Sequence, residues 1–66
     1  VYESEFPYLK EDLFKLPPKY RTVLYLYYYE EYSIKEISRV LNVNPNTVAS
    51  NLRRGREKLK KLLQGE

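Results

Sequence analysis

The sequence predicts an all-α fold, a small four-helix domain that contains a helix-turn-helix and has no winged elements. Three observations support this prediction. Apolar residues recur at three- and four-residue spacing along most of the chain. Prolines and polar capping residues divide the chain into segments of helical length. The 66 residues include no cysteine or histidine, so helix packing has to stabilise the fold without disulfides or a Cys/His metal site.

The N-terminal segment is predicted to be a linker remnant followed by a short helix. Residues 1–6 are largely polar and acidic, and we expect the domain itself to cover residues 7–66. The spacing predicts a helix over 7–16, which the following pair of prolines would end. Its predicted inward residues are Leu9, Leu13 and either Phe14 or Leu16. Because the chain begins at Val1 and contains no methionine, we also expect it to be part of a longer protein.

A second helix is predicted over 18–31, with Pro18 at its first position. Its predicted inner face carries Tyr20, Val23, Leu24 and Tyr27, with Tyr28 at the edge. Three other apolar or aromatic residues project away from that face: Tyr25, Leu26 and Tyr29. Two interpretations of the tyrosines stay open. Their rings are buried while their hydroxyls reach water, or they form an exposed patch that docks a protein.

The strongest local signals lie in the helix-turn-helix. Ser33 and Glu36 form a capping-box pattern that begins a helix over 34–41, and Ile34, Ile37 and Leu41 share one side of it. Asn42 suits the left-handed backbone that ends a helix, and Val43 is expected to fill the turn. Asn44-Pro45 is a strong start signal for a helix over 45–63. The apolar stripe of that last helix is Val48, Leu52, Gly55, Leu59 and Leu62 or Leu63. The glycine in the stripe predicts a close approach to a neighbouring helix.

The polar face of the last predicted helix has the composition of a helix that binds the major groove of DNA. Small and amide side chains near its start could reach base edges, and cations beside them could hold phosphates. The predicted base-reading residues are Asn46, Ala49, Ser50 and Arg53. The predicted phosphate-binding residues are Lys35, Arg39, Thr47, Arg54, Arg56 and Lys58. The alternative is that these are the solvated faces of an ordinary helical bundle.

The charge distribution favours a polyanionic partner and argues against catalysis. Residues 1–16 carry four acids against two lysines, whereas residues 51–66 carry six bases against two acids, for a net charge of +3 over the whole chain. With no histidine or cysteine and a single aspartate, no acid–base or nucleophilic arrangement stands out. We therefore expect no enzyme activity, cofactor, metal or small-molecule substrate. No apolar run is long enough for a membrane span, and we expect a cytoplasmic protein.

Four segments together resemble region 4 of bacterial sigma-70 transcription initiation factors, most closely the extracytoplasmic-function group. They are LPPKYRTVL at 16–24, YYEEYSIKEI at 28–37, LNVNPNTV at 41–48 and LRRGREKL at 52–59. The resemblance covers about residues 12–63. It implies a domain that reads the −35 promoter element while joined to core RNA polymerase. It also implies a contact with the flap of the polymerase beta subunit and a separate promoter-melting domain earlier in the protein. Family members often have, in addition, an anti-sigma partner that masks the domain.

The chain departs from the family pattern near the predicted DNA surface. Ala49 and Asn51 stand where the family usually has basic residues, Asn42 replaces the usual turn glycine, and Asn46 replaces a small residue. Arg53 could partly offset the missing cations. We therefore expect weak binding by the isolated domain and an altered base preference.

Two other functions stay open on the sequence alone. The domain could be mainly a protein-docking module, binding polymerase flap or an anti-sigma protein through Tyr25, Leu26 and Tyr29. It could also be the output domain of a response regulator, which shares the helix-turn-helix. The long last helix and the LPPKYR opening at 16–21 argue against the response regulator.

Overall fold

A computed structural model describes residues 8–64 of the chain as a set of packed helices. A 3₁₀ helix at Lys10–Lys15 is followed by α1 at Pro18–Tyr28, α2 at Ile34–Leu41 and α3 at Pro45–Leu63. The predicted all-α fold with a helix-turn-helix is therefore confirmed. The linker predicted at residues 1–6, and the helix start predicted at Pro7, lie outside the described residues. None of the helices between residues 8 and 64 is long and apolar enough to cross a membrane.

Reciprocal side-chain hydrogen bonds begin α2, as the capping-box pattern predicts. The Glu36 backbone N–H donates to Ser33 Oγ at 3.0 Å, and the Ser33 backbone N–H donates to Glu36 Oε1 at 2.8 Å. Asn42 ends the helix with φ 58° and ψ 47°, in the left-handed region. Asn44 then caps α3, because its Oδ1 accepts from the Asn46 backbone N–H at 2.7 Å. Each of these local predictions is confirmed.

Two predicted helices differ from the structure in type or length. The first is a 3₁₀ helix that begins at Lys10 rather than an α-helix from residue 7. The second ends at Tyr28 rather than at residue 31. Beyond Tyr28 the chain must reverse toward α2, and Glu31 takes a left-handed φ of 61° to do so. The Tyr32 N–H closes this reversal by donating to the Leu26 carbonyl at 2.9 Å.

The core lies where α3 crosses α1 and α2. Its buried members are Leu13, Leu16, Val23, Leu24, Ile37, Val48, Leu52 and Leu59. Gly55 is buried in the same seam, and a Cβ at that position would lie 3.0 Å from Leu24 Cδ1 and 3.1 Å from Tyr20 Cβ. The close helix approach predicted from the glycine is therefore confirmed.

Several residues that were predicted to face inward are exposed. Leu9 is 68% exposed and Phe14 is 71% exposed, whereas Leu13 and Leu16 are buried. The reason is the 3₁₀ geometry, in which residues three apart share a face, so Leu13 and Leu16 point the same way and Phe14 does not. Tyr27 and Val43 are also partly exposed where burial was predicted. Of the two residues predicted as alternatives for the end of the α3 stripe, Leu62 is exposed and Leu63 packs against the core.

Candidate nucleic-acid interface

The outer face of α3 is polar and accessible. Asn46 and Arg53 are exposed, while Ala49 and Ser50 are half-buried. None of these four predicted base-reading residues belongs to the core, which α3 meets with its opposite face. Arg53 follows Asn46 by seven residues, a rise of about 10 Å along an α-helix. That distance matches about three base-pair steps of duplex DNA, so the two side chains could address different base pairs.

Backbone hydrogen bonds order the turn after α2 and the first turn of α3. The Val43 N–H donates to the Ser38 carbonyl at 3.1 Å, and the Val48 N–H donates to the Asn44 carbonyl at 3.1 Å. The Asn44 cap and the left-handed Asn42 complete the turn. The linker between the two helices is only three residues long. The direction of α3 is consequently set by α2 through short-range hydrogen bonds.

Most of the predicted phosphate-binding residues are exposed beside this face. The exposed members are Lys35, Arg39, Thr47, Arg54 and Lys58. Among residues 8–64 the one ion pair is Asp12–Lys15, at 3.4 Å, so no carboxylate of the described chain forms an ion pair with these cations. These arginine and lysine side chains lie on α2 and α3, and together they create a positive potential that attracts a polyanion.

Arg56 differs from the other predicted phosphate-binding residues. It is half-buried, and its Nη1 donates to Tyr28 Oη at 3.3 Å. This bond links α3 to α1 across 28 positions of sequence, which no local pattern could reveal. The Arg56 guanidinium therefore lies at the border of the basic face, beside α1.

A groove lies on another side of the domain, between the 3₁₀ helix and α1. It has a volume of about 300 Å³ and a largely apolar lining. The lining residues are Lys10, Leu13, Phe14, Arg21, Thr22, Tyr25 and Leu26. We call this feature the α1 groove. Of the predicted docking residues, Tyr25 and Leu26 line the groove, whereas Tyr29 stacks on Tyr25 with ring centroids 5.7 Å apart.

Sequence reasoning missed the contribution of Phe14 to the α1 groove. Its ring is exposed, and the Arg21 guanidinium lies 5.4 Å from the ring centroid. Arg21 is itself held by a 3.4 Å hydrogen bond from Nη1 to the Leu16 carbonyl. The three-residue spacing of Leu13 and Leu16 was the signal that could have placed Phe14 outside, had the segment been interpreted as 3₁₀ rather than α.

The tyrosines beside the groove are neutral hydrogen-bond donors. Tyr25 Oη donates to Glu30 Oε2 at 2.9 Å, and this bond, followed by the Glu30 charge, raises the pKa of Tyr25 above its ordinary 10.0. Tyr29 Oη donates to the Tyr8 carbonyl at 3.0 Å. Burial, followed by the Glu11 and Asp12 charges, raises the pKa of Tyr29. Lys10 Nζ lies 5.6 Å from the ring centroids of both Tyr25 and Tyr29, so a cation lies beside these two uncharged phenols.

The model of the family described as sigma-70, region 4 matches residues 13–59. The chain belongs to the sigma-70 region 4 family. The match includes α1, α2 and the part of α3 that carries every predicted base-reading residue. The resemblance drawn from the four sequence segments is thereby confirmed.

Two bacterial sigma factors are similar to the chain in sequence. The chain is 45% identical over 56 residues to the ECF RNA polymerase sigma factor SigW of Bacillus subtilis (strain 168), covering 85% of this chain and 30% of the relative. It is 39% identical over 57 residues to the RNA polymerase sigma factor SigZ of the same organism, covering 86% of this chain and 32% of the relative. The region 4 chain thus spans about a third of the length of these relatives. No solved structure matches it.

Proposed function

We propose that the chain is the promoter-recognition domain of an extracytoplasmic-function sigma factor, and that α3 binds the −35 element of promoter DNA. The observation that carries this proposal is the combination of a region 4 match with an α3 whose polar first turns are accessible. A helix-turn-helix places the start of its second helix in the major groove. The site of action would be the cytoplasm, on DNA engaged by core RNA polymerase.

This surface would make two kinds of contact with DNA, to base edges and to phosphates. Arg53 can donate two hydrogen bonds to guanine O6 and N7, and Asn46 can pair with adenine N6 and N7. Ala49 can make an apolar contact with the methyl group of thymine, and Ser50 can form a hydrogen bond with either kind of base. Lys35, Arg39, Thr47, Arg54 and Lys58 would bind phosphates, which set affinity and register without carrying sequence information. Arg56 would reach a phosphate only by leaving Tyr28.

Competition binding on a randomised duplex library tests the proposal. The 66-residue chain is incubated with the library at fixed salt, and the bound fraction is sequenced. We expect enrichment of a short motif, which is lost or altered in Arg53→Ala. The matched control is Lys58→Ala, an exposed cation on the same helix, which should weaken all sequences alike. Equal affinity of the wild-type chain for every sequence would exclude base reading.

A second surface favours a protein partner. We propose that the α1 groove receives an apolar segment of core RNA polymerase, its beta flap, or of an anti-sigma protein. Support comes from the exposed Phe14, the apolar lining, and the stacked Tyr25 and Tyr29 beside it. Aromatic side chains of this kind dominate binding energy at protein interfaces. The docking role adds to DNA binding on α3 and does not replace it.

Substitutions in the groove separate this role from DNA binding. Tyr25→Ser and Leu26→Ser should reduce capture of purified core polymerase while leaving duplex affinity unchanged. Tyr27→Ser is the control, because Tyr27 lies on the same helix, is partly exposed and does not line the groove. If capture by the Tyr25 and Leu26 variants equals that of the control, docking takes place on another surface.

A further inference from the structure

Ser38 and Val43 are joined by two hydrogen bonds across the turn of the helix-turn-helix. The Val43 N–H donates to the Ser38 carbonyl at 3.1 Å, and Ser38 Oγ donates to the Val43 carbonyl at 2.5 Å. The first bond, with the Asn42 N–H donating to the Arg39 carbonyl at 3.3 Å, forms the Schellman arrangement that ends helices on a left-handed residue. An apolar contact frequently links the helix to the residue beyond this turn. Here the Ser38 hydroxyl adds a side-chain hydrogen bond to the Val43 carbonyl.

The Ser38 hydroxyl bond fixes the peptide that leads into α3. Val43 has both of its backbone polar groups bonded to Ser38, so the Val43–Asn44 peptide cannot rotate freely. Asn44 is the cap of α3, and its Oδ1 accepts from the Asn46 N–H at 2.7 Å. Hydrogen bonds therefore run from the body of α2 to the first turn of α3, which carries Asn46.

We propose that Ser38 is a positioning residue for sequence recognition, which acts on DNA only through the turn and the direction of α3. The inference rests on the proposed function of α3. A hydrogen bond to a base edge weakens steeply when donor and acceptor move apart or lose alignment. Lysine and arginine side chains are long and flexible, so phosphate binding tolerates the same displacement. Loss of the Ser38 hydroxyl should consequently reduce discrimination between sequences more than affinity for DNA in general.

The rival explanation of Ser38 is its small size. Ser38 is half-buried in α2, where a small side chain allows a neighbouring helix to approach. Alanine is equally suited to that role and is a better helix former than serine. Ser38→Ala therefore removes the hydrogen bond while keeping the space and favouring the helix. A purely steric role predicts no loss of any kind in this variant.

The experiment measures two dissociation constants for each variant of the 66-residue chain, one on the preferred duplex from the library and one on a scrambled duplex. Their ratio is the discrimination. For Ser38→Ala we expect the discrimination to fall by about two- to tenfold, the range that a net hydrogen bond contributes to an equilibrium constant. Affinity for the scrambled duplex should stay at the wild-type value. The thermal midpoint should change little, because the loss of the hydrogen bond and the better helix propensity of alanine have opposite effects on stability.

Val40→Gly serves as the control for general loosening of α2. Val40 is 59% exposed and makes no hydrogen bond to the turn through its side chain, so glycine there weakens the helix and leaves the Ser38 bond intact. We expect a lower thermal midpoint with unchanged discrimination. Unchanged discrimination in Ser38→Ala, or an equal loss in Val40→Gly, overturns the proposal. If the wild-type chain does not discriminate at all, the proposed function of α3 fails, and the role of Ser38 fails with it.

Discussion

Gly55→Ala should destabilise the domain, although alanine is the better helix former. An exposed glycine-to-alanine exchange within a helix gains up to about 1 kcal/mol. At Gly55 the new Cβ would lie 3.0 Å from Leu24 Cδ1 and 3.1 Å from Tyr20 Cβ. Leu24 is fully buried, so its methyl has no free space to enter. Tyr20 Cβ is attached directly to the backbone of α1, so it can move only if the helix moves.

The magnitude follows from the competition between these two effects. Overpacking a filled core typically destabilises a protein by about 1–3 kcal/mol. Most of that range exceeds the gain in helix propensity from glycine to alanine. We expect a net loss of about 1 kcal/mol in the free energy of unfolding, which for a domain of this size lowers the thermal midpoint by about 4–8 °C. Urea denaturation followed by circular dichroism measures the change directly.

Lys60→Gly and Lys60→Ala together provide the control for Gly55→Ala. Lys60 is exposed on the same helix, so the difference between its two variants measures propensity alone, with alanine the more stable by up to about 1 kcal/mol. If Gly55→Ala shows the same gain as the Lys60 pair, α1 and α3 can separate without cost, and the inference of a tight seam at Gly55 is wrong.

Three further predictions concern the DNA surface, the turn and the tyrosine patch. Arg53→Ala should weaken the binding free energy on the preferred duplex by about 1–3 kcal/mol and relax specificity. Lys58→Ala should reduce the slope of log affinity against log salt by about one. Binding titrations at several salt concentrations check both expectations. At Asn42, whose φ is 58°, alanine should lower the free energy of unfolding by about 1 kcal/mol while glycine should not, as urea denaturation would measure. The raised pKa of Tyr25 favours the neutral phenol in the folded state, so its contribution to stability is complete below pH 10 and falls as the pH rises through the folded value. Thermal melts across this alkaline range should show a smaller loss in Tyr25→Phe than in the wild type, and an equal loss would contradict the assignment.

Local signals predicted the parts of the fold that depend on a few neighbouring residues. The Ser33–Glu36 capping box, the left-handed Asn42 and the Asn44 cap each rest on side chains within three positions of the backbone they satisfy. Their free energies do not depend on the rest of the domain, so sequence alone specifies them. The buried stripe of α3 was predictable for the same reason, since its period follows from helix geometry.

Features that depend on tertiary contacts were predicted less well. The helical pattern continues past Tyr28, but α1 ends there because the chain must turn back to bring α2 against α3. The hydrogen bond between Tyr28 and Arg56 joins two helices that no sequence period relates. The exposed Phe14 and the α1 groove follow from a 3₁₀ geometry that the spacing of Leu13 and Leu16 allowed but did not require.

The α1 groove and the polar face of α3 share no residue, since no residue of α3 lines the groove. A nucleic acid along Asn46 and Arg53 would therefore leave the side around Phe14 and Tyr25 uncovered. One copy of the domain could hold both macromolecules at the same time, as a bridge rather than as a switch between them. A substitution on the α3 face and one in the α1 groove should then reduce formation of the ternary complex independently. The reduction in the double variant should equal the product of the two single reductions, because neither ligand has to leave before the other can bind.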